Sequence, residues 1–390
     1  MSSPPPPTST GPSAPSASAS AFVLGESVEM PASAPTCRGF DFESPGGASI
    51  PAIMGAMMST GFQATNLALA VEEVRRMRRW RLSDVEWKEG DDEDLRAPAV
   101  RAKVRARIFF SYTSNQISCG QREIIRFLAK HRMVDVIITT AGGVEEDFVK
   151  CFRPTYMGSF HGRSGGELRR EGLNRIGNLI VPNNNYCKFE DWCAPLIGRL
   201  HDEQEKEGKF WSPSAMIARM GKEIDNEDSV YYWAQKNDIP VFCPALTDGS
   251  IGDMLYFHSY KRSGFILDIA RDIRLVNDCA VQSHATGMIV LGGGLVKHHA
   301  CNANLMRNGA DFAVFVNTGQ EYDGSDSGAR PDEAISWGKI KTTAAPVKLY
   351  AEATLVFPWI VAETFAKDFD KEAWKKENDD TILWMPPLKD

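Results

Sequence analysis

The chain has 390 residues, 43% hydrophobic and 24% charged, with 44 Lys and Arg against 51 Asp and Glu and so a net charge of −7. So much apolar residue builds one or two large cores, and the acid excess argues against a nucleic-acid partner. Eight scattered cysteines without a C-x-x-C pair suggest neither a zinc ribbon nor a disulfide framework, and with neither a signal peptide nor an apolar run long enough to span a bilayer, a cytoplasmic protein with no membrane partner is expected.

Residues 1–21 form a Pro/Ser/Ala-rich run that buries too little apolar surface to offset chain entropy, and a disordered tail is predicted. Residues 22–105 read as an N-terminal extension. Within it the spacing of Leu67, Val71, Val74 and Met77 predicts a helix over 62–82. Arg75, Arg76, Arg78 and Arg79 would form a solvated face near its C-terminus. Residues 90–98 read as an exposed loop. From 106 to 372 apolar strands alternate with helices. ARIFFSYT (106–113), VDVIIT, IPVFCPAL, TGMIVL, DFAVFV and PVKLYAEA read as strands, and QREIIRFLAKH, VEEDFVKCF, HHACNANLMRNG and TLVFPWIVAETFAKDF as helices. That alternation predicts the fold class α/β, a Rossmann-like parallel sheet with helices on both faces. Residues 373–390 are left as a C-terminal tail.

In such sheets ligands sit at the carboxyl ends of the strands. The strand-following loops TSNQIS, TTAGG, LGGG and VNTG are small, hydroxylated and glycine-containing, and each opens toward a helix. Backbone N–H groups at a helix start attract phosphate, and glycine lets a ligand approach closely. None is a strict G-x-G-x-x-G, but four together point to a dinucleotide site.

The stretch SDSGARPDEAISWGKIK (325–341) holds a lysine among acids. Pro331 suits the first position of a helix and Gly338 its end. Glu333 and Trp337, four apart, then share a face. Lys339 follows the stop, so an acid, an indole and an amine converge. A lysine after a helix is ordinarily a surface lysine; the alternative is one that forms an imine, which needs a neutral amine. Carboxylates nearby favour the ammonium, so the acids Asp326, Asp332 and Glu333 are better read as partners of a bound cation. A polyamine against Trp337 fits. His298 and Asn302 lie four apart on the helix after the GGG turn. Acidic loops at Glu145, Glu146, Asp248 and Asp253 are further candidates.

The stretch DGSDSGARPDEAISWGKIK closely resembles the deoxyhypusine synthase family. So do TGFQATN, TTAGGVEED, RIGNLIVPNNNYCKFEDW, VYYWAQKNDIPVFCPALTDGSIGDM, LGGGLVKHHACNANLMRNGAD and VFPWIVAETFA, and the resemblance covers roughly residues 37–370. It implies NAD-dependent transfer of the aminobutyl group of spermidine to one lysine of the translation factor 5A precursor, through an enzyme imine and with release of propane-1,3-diamine. It implies Lys339 as the imine-forming nucleophile and His298 as the proton-handling group. It places Glu145, Glu146, Asp253, Asn302, Gly324, Ser325, Asp326, Glu333 and Trp337 around spermidine. It places Ser114, Asn115, Ser118, Thr140, Ala141, Gly142, Asp248, Gly293, Thr318, Gly319, Glu352 and Ala353 around NAD. It further implies a homotetramer with sites at dimer interfaces and an N-terminal segment, about residues 22–60 here, over a neighbouring site.

Two positions depart from the family pattern. Glu352 stands where aspartate is expected beside the adenosine, and Gly319 where alanine is expected, the milder exchange of the two. Other readings are a homospermidine synthase using putrescine as acceptor, or a non-catalytic regulatory subunit; the presence of Lys339, His298 and the acids argues against the latter. SWGK formally matches S-x-x-K, but no S-D-N or K-T-G accompanies it, and there is neither a P-loop nor an H-E-x-x-H helix.

Overall fold

The computed structural model describes residues 22–89 and 93–381. The tail predicted over 1–21 lies outside them. Of the described residues, those up to 38 belong to one compact unit and those from 39 on to a second. Of the first, the described part holds a turn closed by the Ala34 N–H on the Pro31 carbonyl at 2.8 Å.

The second unit is built on six strands: β1 (Arg107–Tyr112), β2 (Val136–Thr139), β3 (Val241–Phe242), β4 (Thr286–Leu291), β5 (Phe312–Asn317) and β6 (Val347–Tyr350). Their order is β3-β2-β1-β4-β5-β6, and every pairing is parallel. This is the doubly wound dinucleotide-type order. Apolar runs such as IFF and AVFV form these strands because both faces are covered. Ile108, Phe110, Ile137, Ile289 and Val314 join the core on one face. Phe109, Val136, Ile138, Val290 and Phe315 join that on the other.

The N-terminal helix runs Phe62–Arg79 and ends before Leu82, because the backbone turns extended at Trp80. Its stripe of Leu67, Val71, Val74 and Met77 is buried as the spacing predicts. Met77 packs so closely on β4 that a Cβ on Gly287 would lie 2.4 Å from its Cγ, so glycine is required there. The predicted solvated face holds for Arg76 and Arg79, which are exposed, whereas Arg75 and Arg78 are docked. Arg75 pairs with Glu363 at 2.8 Å and Arg76 with the buried Glu73 at 2.7 Å. The Arg78 guanidinium lies over the rings of Phe365 and Trp374. A boundary drawn at 372 cuts the helix Lys371–Asp380, which Trp374 fastens by donating from Nε1 to the His131 carbonyl at 2.6 Å.

SNQISCG, read as a loop, contains a helical turn, Asn115–Ser118, and TAGG is already the first turn of the helix Ala141–Phe152. Tyr156–Met157, Leu173–Ile176 and Leu179–Pro182 form a separate antiparallel sheet that no sequence period marks. Among the described residues no helix is long and apolar enough to cross a membrane, and the sulfurs of Cys193, Cys243, Cys279 and Cys301 are buried thiols.

Candidate active site

The turn after β4 leads into the helix Leu295–Leu305, which carries His298 and Asn302 on one face. Their side chains meet, Asn302 Nδ2 to His298 Nδ1 at 3.1 Å. The other ring nitrogen, Nε2, lies 3.4 Å from Lys339 Nζ. After β5 the chain loops through 319–330 into the short helix Pro331–Ser336. Gly338, at φ +72°, turns the chain out of it, as the sequence predicts. Lys339 Nζ lies 5.6 Å from the centroid of the Trp337 ring.

These groups line a cavity of about 420 Å³, together with Gly324, Asp326 and Glu333. Asp326 Oδ2 is buried and accepts no hydrogen bond. A buried carboxylate oxygen without a donor is costly, so the cavity is suited to a cation. Ser325 does not line it: its N–H closes a turn on Asp323 Oδ1 at 2.8 Å. Trp337 is 64% exposed, so the cavity lacks a wall on the indole side.

Glu145, Glu146 and Asp253 are not brought to this cavity. Glu146 and Asn302, expected in one pocket, lie on opposite faces of the sheet. The cause is topological: right-handed crossovers running β1 to β2 to β3 put their helices on one face, and those running β4 to β5 to β6 put theirs on the other. The helix Ala141–Phe152 packs in the first core and Leu295–Leu305 in the second. On its own face Glu145 Oε2 accepts from the Ile251 N–H at 2.9 Å, at the start of the helix Ser250–Lys261. Burial pushes its carboxyl up to about 6, against the backbone hydrogen bonds that hold it down. Burial also raises Glu146, although Tyr186 donates to its Oε1 at 2.7 Å. Glu146 Oε2 is buried without a donor. Asp253 is exposed on the first turn of the same helix, and Asp248 is exposed just before it.

The remaining candidates gather at the strand ends. The Ser114 N–H donates to Thr140 Oγ1 at 3.1 Å, and Ser118 Oγ to the Ser114 carbonyl at 3.3 Å. Ala141 is buried, Asn115 and Thr318 exposed. A Cβ on Gly142 would sit 2.8 Å from Ser114 Cβ. Glu352 caps the helix Ala353–Glu363, accepting from the Thr354 N–H at 3.0 Å. The exchange expected to be milder is the tighter in space: a Cβ on Gly319 would lie 2.9 Å from the Ser327 carbonyl carbon and oxygen, and one on Gly293 2.2 Å from Ser327 Oγ.

Three further side chains belong to these sites without a motif to mark them. Tyr186 supports Glu146. Lys297 lines the cavity beside His298, and Lys348 lies under the loop that follows β5. Only their apolar surroundings mark the two lysines, since Lys348 interrupts a strand.

The fold and the cavity define the class: a doubly wound α/β enzyme with an amine–imidazole pair at the carboxyl edge of its sheet. The family model described as deoxyhypusine synthase matches residues 52–364. A relative from Dictyostelium discoideum, provisionally named deoxyhypusine synthase, is 60% identical over 339 residues, covering 87% of this chain and 88% of its own. The deoxyhypusine synthase of Arabidopsis thaliana is 54% identical over 357 residues, covering 91% of this chain and 96% of its own. A crystal structure provisionally described as the enzyme from Entamoeba histolytica is 33% identical, with a TM-score of 0.61, and covers 86% of this chain and 99% of its own. The chain belongs to the deoxyhypusine synthase family and is a transferase.

Proposed function

We propose that the chain moves the aminobutyl group of spermidine onto one lysine of the translation factor 5A precursor, with NAD as cofactor, and that it does so in the cytoplasm. The single observation that carries this reading is the pair of Lys339 Nζ and His298 Nε2, 3.4 Å apart over an acidic cavity.

The residues at the strand ends fit a dinucleotide. Thr140 opens a helix whose first N–H groups face outward. Gly142 and Gly293 sit where a side chain would clash with Ser114 and Ser327. Ser114, Asn115, Ser118, Thr140, Ala141, Gly142, Asp248, Gly293, Thr318, Gly319, Glu352 and Ala353 would hold NAD. Bound there, NAD would supply a hydride acceptor and, once reduced, the hydride donor.

The chain's own residues do the rest. Asp326 and Glu333 pair with the substrate's ammonium groups, and Trp337 lies along its methylene chain. His298, fixed by Asn302, takes a proton at Nε2 as the substrate's secondary amine is oxidised to an imine. Lys339 Nζ adds to that imine carbon, propane-1,3-diamine leaves, and a Lys339 imine of the aminobutyl unit remains. The acceptor lysine adds to the same carbon, Lys339 leaves, and reduction of the resulting imine gives the product.

A second copy of the chain completes the site in this reading. The exposed Trp337 on one face, and Glu146 with its donorless Oε2 beside Asp253 on the other, are two half-sites. Tyr256, Phe257 and Tyr260 are exposed on the helix that carries Asp253. Such an aromatic patch beside a half-site suits an interface, and two such dimers give the homotetramer. The test is incubation of the purified chain with NAD, labelled spermidine and unmodified factor 5A. NAD-dependent label in one lysine of the factor is expected. No transfer by folded, NAD-binding protein would overturn the reading, and label in putrescine instead would move it to homospermidine synthesis.

A further inference from the structure

Lys297 and Lys348 are 3% and 7% exposed, and neither pairs with a carboxylate among the described residues. Each donates to main-chain carbonyls of one loop. Lys297 Nζ donates to the carbonyls of Asp326 and, at 3.1 Å, Ala329. Lys348 Nζ donates to those of Gly319 at 2.9 Å and Gly328 at 2.6 Å. Aromatic faces close both sites: Phe315 lies 5.2 Å from Lys297 Nζ and Tyr350 4.2 Å from Lys348 Nζ.

Burying an ammonium is expensive, and a fold can satisfy loop carbonyls with neutral donors or water. Burial lowers the basicity of both lysines here. What the charge achieves is visible at Asp326. Its backbone carbonyl is pulled inward by Lys297, while its carboxylate keeps Oδ2 without a donor. The ammonium therefore fixes the backbone of this residue, yet leaves its carboxylate oxygen free for a ligand. Lys297 also ties the loop to the helix that carries His298, one residue on. Lys348, from β6, ties the near end of the same loop at Gly319 to its far part at Gly328 and does not line the cavity.

We propose that Lys297 and Lys348 are positioning residues, a pair of buried ammoniums that hold the 319–329 loop by its carbonyls and so aim Asp326 at the substrate's ammonium group. This rests on the polyamine reading for its substrate, but the loop itself is testable without it.

The first variant is Lys348→Met, which keeps the aliphatic stem and removes the charge outside the cavity. In the full chain it is expected to raise the spermidine KM about tenfold with kcat changed less than about threefold, and Lys348→Met with Asp326→Ala is expected to be no worse than Asp326→Ala alone, since residues acting through one group are not additive. Hydrogen exchange of the amides over 319–329, measured without substrate, is expected to speed up in the variant while the sheet stays protected. Unchanged exchange in the loop would overturn the clamp whatever the substrate proves to be. An unchanged KM, or an additive double variant, would overturn its role in aiming Asp326. Absence of transfer by the wild type would instead sink the polyamine reading and leave the exchange result standing. Should Lys348→Met fail to fold, Lys297→Met and the same exchange measurement decide the matter.

Discussion

Asp326→Asn isolates the charge that the cavity holds ready. The carboxylate presents a buried oxygen with no donor, and Lys297 is committed to carbonyls. A ligand ammonium arriving there forms a charge-assisted hydrogen bond in desolvated surroundings. Truncating one member of such a pair costs about 2–5 kcal/mol. The lower bound corresponds to about a thirtyfold weaker interaction, by 1.4 kcal/mol per decade. The amide is isosteric, so the loop is expected to keep its place and the unfolding midpoint to hold or rise, because the uncompensated oxygen is a cost in the free protein. The assay is label transfer at varied spermidine with NAD saturating, beside a thermal melt. A KM rise of about thirtyfold or more at unchanged stability is expected. An unchanged KM would remove Asp326 from the polyamine site and the clamp's purpose with it.

Lys339→Arg keeps a cation but cannot form the imine, so transfer should fall to background while NAD still binds by titration; wild-type turnover would refute the nucleophile. Glu145 titrates near 6 in the fold against an ordinary 4.5, so its contribution to stability is present below about 4.5 and lost as pH rises through 6, about 2 kcal/mol in all. Glu145→Gln should therefore gain on the wild type by about that much between pH 4.5 and 7 in denaturant unfolding, and a pH-independent difference would mean the carboxyl is not desolvated. Glu352→Ala removes the cap at the Thr354 N–H and should lower stability by about 1 kcal/mol; an unchanged midpoint in denaturant would show that the cap contributes nothing.

The sheet was legible because its strands are buried on both faces, which leaves uninterrupted runs such as IFF and AVFV. The two-residue β3 was read too long, and the small antiparallel sheet was missed, because neither has length enough to set a period. Pro331, Gly338 and the four-residue spacings of His298 with Asn302 and Glu333 with Trp337 are local rules, and the structure keeps each of them. The face on which a helix lies is not local. It follows from the reversal of strand order at β1 and β4, which no stretch of sequence displays, and so Glu146 and Asn302 were expected together. The lysines at 297 and 348 were passed over for a related reason. A lysine reads as surface unless its surroundings are known, and only the packed loop makes these two interior.

Those opposite faces make a sharp demand on the assembly. A Lys339 half-site and an Asp253 half-site that cannot meet within one chain must meet between chains, if both serve one substrate. In a twofold dimer each site then takes Lys339 from one copy and Asp253 from the other. Lys339→Arg and Asp253→Ala chains are each expected to be nearly inactive alone. Mixed in equal amounts and refolded together, half of the dimers pair one of each. Such a dimer holds one site with both lesions and one with none, so about a quarter of the wild-type rate should return. If each chain carried a whole site, every site in the mixture would keep a lesion and no rate would return. Recovery near a quarter, absent when the two are mixed without subunit exchange, would establish the shared site; no recovery from verified heterodimers would show that Asp253 serves another purpose on its own face.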